Sequence, residues 1–96
     1  MEAFDALLLQ MVAESSDERE QRMRDTVSGW SAELLQQNAD ALSKAIETRV
    51  VSVQTAAIAE HNLGNDTTVA QAELQALVDM MVYSKILIRA RVIEQE

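Results

Sequence analysis

Residues 74–93 read LQALVDMMVYSKILIRARVI, and only six of these twenty are polar. Between Met80 and Ile88 only Ser84 and Lys85 interrupt the apolar run. A helix built from this stretch has no clean water-facing side, and a helix that is apolar all round has to be covered on most of its circumference. The rest of the chain must therefore supply cover, or a partner must.

The chain is 96 residues long, enough for one domain. A compact chain of this size buries only somewhat over ~60% of its unfolded surface, so its margin of stability is small. Its three aromatics are Phe4, Trp30 and Tyr83, and the apolar content otherwise comes from Ala, Leu, Val, Ile and five Met. There is no Pro, and the glycines are Gly29 and Gly64. That is the profile of long helices, not of a sheet protein.

The first helix is expected over about residues 2–14, with Phe4, Leu7, Leu8, Met11 and Val12 on one face and Leu9 off it. At that length it is marginal alone in water and needs a surface to pack on. Ser15 and Glu18 then have capping-box spacing for a restart. A second helix is expected over about 17–62, either continuous or kinked at Gly29, where Ser28 or Ser31 can cap a fresh start. Its charged first part carries Glu18–Arg22 and Glu20–Arg24 pairs. Beyond it, Leu35, Ala39, Leu42, Ile46, Val50, Val53 and Ala57 step by three and four in a near-heptad seam. Gly64 suits the left-handed position that ends a helix, and Asp66, Thr67 or Thr68 caps the third helix, over about 67–94. Residues 88–93 alternate with Arg89 and Arg91 as a strand would, yet no other segment offers a strand to pair with. The part of the second helix from Ser31 to Asn62, roughly 48 Å, and the third helix, roughly 40 Å, are joined by a short loop and give an antiparallel hairpin. The expected fold is all-α: that hairpin plus a short N-terminal helix, assembled as an oligomer.

No HExxH, Walker loop, GxGxxG, GxSxG or EF-hand loop is present, and catalytic, cofactor-binding and metal residues are all assigned as none. His61 stands alone, whereas a metal needs several ligands. There is no Cys for a disulfide, thiolate site or nucleophile. The net charge of −8 with no basic run argues against nucleic acid. Asp79, Lys85, Arg89 and Arg91 argue against a membrane span, and Glu2 and Asp5 against a cleaved signal peptide. The expected location is cytoplasmic, or exported by a route independent of a signal peptide.

The remaining candidates for function are interface residues: Trp30, Leu74, Leu77, Met80, Met81, Tyr83, Leu87, Ile88 and Val92. The first two helices cover the third only in part, and exposed apolar patches of a few hundred Å² usually mark interfaces. Met80, Met81 and Tyr83 suit an adaptable groove, and Trp30 an anchor; ordinary core packing is the alternative for both. The expected partner is a second copy of the chain or another helical protein.

Asn65-Asp66, the run Ala72-Glu73-Leu74-Gln75-Ala76, Tyr83 and the apolar C-terminal helix together resemble the second helix of type III secretion needle and inner-rod subunits. The resemblance covers about residues 65–93, and residues 62–66 stand where needle subunits carry a Pro-containing turn. It implies a small helical hairpin that polymerises through its C-terminal helix. The WXG-type secreted proteins are similar in length but require Trp-x-Gly in the interhelical turn, and here Trp30 follows Gly29 far from it. Two functions follow: a structural subunit of an oligomer, filament or secretion apparatus, or an acidic adaptor or secretion-type chaperone holding a partner helix against residues 80–88.

Overall fold

The computed structural model describes residues 4–94, which form helices joined by short turns, with no strand among them. In chain order the elements are α1 (Asp5–Val12), α2 (Ser16–Ser28), a single 3-10 turn (Ala32–Leu34), α3 (Leu35–Asn62) and α4 (Thr68–Glu94). Together they fill an elongated body of 52 × 25 × 21 Å.

The turn between α3 and α4 follows from its residues. Gly64 takes φ +78°, and its N–H donates to the His61 carbonyl while the Asn65 N–H reaches back to Glu60. This pairing closes a helix end around a left-handed residue, a conformation that costs glycine least. Asp66 Oδ1 then accepts from both the backbone N–H (3.0 Å) and the hydroxyl of Thr68. The Thr67 hydroxyl accepts from the Gln71 amide one turn on. The expected antiparallel hairpin is thus formed, and the seam of α3 faces α4: Leu35, Leu42, Ile46 and Val53 are buried. Leu42, Ile46 and Val53 share one core cluster with Ala76, Leu77 and Met80 of α4. Arg49 bridges the hairpin to Glu73 at 2.6 Å.

The second expected helix divides. α2 closes at Ser28, and Gly29 stays near right-handed helical values (φ −78°, ψ −9°). The chain turns at Ser31, whose ψ of 157° is extended. This is a reversal rather than a kink, and it lies two residues beyond Gly29. The reason is tertiary: α2 turns back to lay Met23 and Val27 on α4. Arg91 of α4 holds the reversal shut, donating to the carbonyls of Val27 (2.7 Å) and Trp30 (2.9 Å). Those oxygens stand at the end of α2, where helix carbonyls lack intrahelical donors.

α1 is shorter than expected, and the start proposed for it at Glu2 lies outside the described residues. It buries Leu8 and Met11, with Phe4, Leu7 and Val12 half-buried beside them and Leu9 exposed. The Ser15–Glu18 capping box forms in both directions. Arg19 ties α1 down by donating to the carbonyls of Met11 (3.0 Å) and Glu14 (2.9 Å). No buried side-chain nitrogen or oxygen among the described residues lacks a partner.

Leu77 is fully buried where α3 meets α4. Leu77→Ala is expected to cost about 2–5 kcal/mol, whereas Val69→Ala, on an exposed side chain, stays within about 0.5 kcal/mol. Urea midpoints of the two variants check the contrast.

Candidate functional site: the apolar surface of α4

Three elements pack on α4. α3 takes one side, while α1 and α2 take a second. Met23 and Val27 reach it from α2, and Leu8 and Met11 from α1. The coverage decides the fate of the nine interface candidates. Leu77 and Met80 are core. Leu74, Met81, Tyr83, Leu87 and Ile88 are half-buried and packed against that core. Trp30 is half-buried too, its ring 5.8 Å from that of Phe4. Of the nine, Val92 alone lies open. The chain's own helices thus pack against eight of these nine side chains.

A different stripe stays in water. Val78, Val82 and Ile86 are 49, 53 and 60% exposed, spaced i, i+4, i+8 along one ridge of α4. Val51 of α3, 61% exposed, joins Val78 and Val82 along a shallow groove of about 440 Å³ floored by Ile46, Leu77 and Met81. These four residues escaped the sequence reading for a definite reason. When every face of a helix is apolar, periodicity does not say which face turns inward. The signal was available only by elimination, once Leu77, Met80, Ser84 and Arg91 are placed on the inner side.

A second cleft, of about 330 Å³, lies between α2 and α4. Met23, Met80 and Val82 line it with Arg19, Glu20, Asp79 and Tyr83 around them. Its charged groups are already engaged with one another. Arg19 stands 3.8 Å from Asp79, and the hydrogen bond to the Glu20 carboxylate raises the Tyr83 phenol above its usual range. Nothing in this cleft is arranged to attack a bond or to take a proton from a substrate. Among the described residues no three His, Cys, Asp or Glu side chains gather as metal ligands. His61 sits exposed in the last turn of α3, and no helix is long and apolar enough to cross a membrane.

What keeps α1 and α2 over α4 is partly ionic. Arg22 grips Glu14 through two bonds of 2.7 Å, across the elbow between the two helices. That bidentate geometry suits guanidinium and carboxylate planes. It holds the Glu14 carboxyl below its ordinary value of 4.5, the hydrogen bond to Arg22 being the main cause.

Comparison with family models, with curated proteins and with solved structures finds no match to this chain.

A carboxyl whose value is lowered on folding contributes stability above its unfolded value, and loses it as the pH falls through the folded one. Glu14→Gln should therefore lower the urea midpoint at pH 7. The gap from the parent should close progressively as the pH drops below 4.5. A gap that stays constant down to pH 3 would show that the pair contributes nothing.

Proposed function

We propose that the chain is a non-enzymatic helical subunit that associates with copies of itself through α4, as a structural component of an oligomer or filament. The exposed ridge of Val78, Val82 and Ile86 carries this reading. It runs two turns along a helix whose other sides are already covered, and the Val51 side chain extends it onto α3. The total area points the same way. The chain exposes 6367 Å², against about 5,500 Å² for a compact monomer of its mass. The elongated 52 × 25 × 21 Å body leaves more surface in water than a compact one, with room for such a contact along α4.

The surface is the outer ridge of α4 and not the Leu77–Met80 side. The resemblance of residues 65–93 to needle and inner-rod subunits supports a place in a secretion apparatus, since those subunits polymerise through the corresponding helix. The adaptor reading puts a helix of another protein along the same ridge, and the mass of the purified chain separates the two.

Light scattering should show a mass that rises with concentration. Val82→Glu with Ile86→Glu should return it to that of a single chain without loss of helical circular dichroism, because both side chains already stand in water. A single-chain mass for the parent at every concentration would overturn self-association and leave the adaptor.

A further inference from the structure

The reversal between α2 and α3 rests on very little backbone. Gly29, Leu34 and Leu35 all have right-handed helical angles, and Ser31 is extended (φ −70°, ψ 157°). No proline stands anywhere in the chain. Opening the reversal around Ser31, with residues 29–34 taking full helical angles, joins α2, the 3-10 turn and α3 into one helix from residue 16 to residue 62, about 70 Å long.

We infer that residues 4–30 form an exchangeable arm, which in a straightened chain leaves its own α4 and docks on the α4 of a second copy. Three observations carry this. First, the arm is built to sit on α4: Met23, Val27, Arg19 and Arg91 all make their contacts between the arm and that helix, and α2 packs on α4 far more than on α3. A second copy offers the same apolar surface and the same Asp79, which is the condition for exchanging an element between protomers.

Second, the directions agree. Arg19 places the start of α2 beside Asp79, and Arg91 meets its end, so α2 runs parallel to α4 and antiparallel to α3. Straightening makes α2 continue in the direction of α3. Two such chains related by a twofold axis across the helices are antiparallel, so the arm of each runs along the other's α4 in its original sense.

Third, the bent form is held by bonds that the straight form replaces in kind. Arg91 satisfies the Val27 and Trp30 carbonyls at the reversal. In a continuous helix the N–H groups of Ser31 and Leu34 satisfy them instead. Arg91, with Gly29 and Ser31 as poor interior helix residues, thus favours the bent chain, while the good helix formers at residues 32–36 favour the straight one. The exchange uses the inner side of α4 and stands whether or not the outer ridge self-associates.

Gly29→Ala with Ser31→Ala biases the chain toward the straight helix. A β-carbon at Gly29 meets only ordinary contacts, at 3.5 and 3.6 Å, so the bent form also accepts it. Both replacements raise helix propensity across the junction, and the bias toward the straight form comes from Ser31, which becomes helix interior only there. Ser31→Pro does the reverse: its φ and ψ already suit proline, which would break a through-helix. Spin labels on Asp17→Cys and Lys44→Cys, in a chain that has no other cysteine, read the outcome when diluted with unlabelled chain.

Folded back, Asp17 lies near the level of Asp79 and Lys44 near that of Met81, both within the 25 × 21 Å cross-section. On one straight helix they stand about 40 Å apart. The expected result is a dimer with the long distance for the alanine variant, and a shift to the short distance for Ser31→Pro. A dimer that keeps the short distance overturns the exchange and leaves only association through the outer ridge. A monomer, with either distance, overturns it as well.

Discussion

Six polar side chains in twenty leave α4 with too little hydrophilic surface to face water on more than one side. Each Å² of apolar surface moved out of water contributes roughly 25 cal/mol. A single antiparallel partner covers one stripe, and α3 covers that stripe with Leu42 and Ile46. The second stripe is what makes the chain bend. Leu8, Met11, Met23 and Val27 come from two short helices that could not stand alone. They become stable by closing on α4.

The junctions on either side of α2 leave helix ends with carbonyls that lack intrahelical donors. Arginine answers at each. Arg19 crosses to the end of α1 and Arg91 to the end of α2, each donating to two carbonyls at once. Arg22 and Arg49 clamp Glu14 and Glu73. A planar fork with several fixed donors serves this purpose where a lysine would present one point charge. The four are all half-buried, and the surplus of acidic groups lies in the water around them.

The hairpin was legible because its signals are local. Gly64, Asp66 and Thr67 set a turn within a few residues, Ser15 and Glu18 set a cap, and the seam from Leu35 to Val53 repeats within one helix. The break at Ser31 was only partly legible. Gly29 and Ser31 mark a weak point within residues 17–62, but the bond that holds the chain folded back there comes from Arg91, 64 residues beyond Val27. The same distance hid the site. Which face of α4 turns inward depends on where α1 and α2 dock, so Val78, Val82 and Ile86 had no periodic mark to separate them from Leu77 and Met80.

The dependence of α1 and α2 on Arg91 and Met80 also fixes an order in time. A ribosome releases α1 and α2 first and α4 last, at ~5–20 residues per second. The first helices therefore wait on the order of 3–13 s for the surface they are meant to cover, given the 64 residues between Val27 and Arg91. During that wait Leu8, Met11, Met23 and Val27 have no native seat.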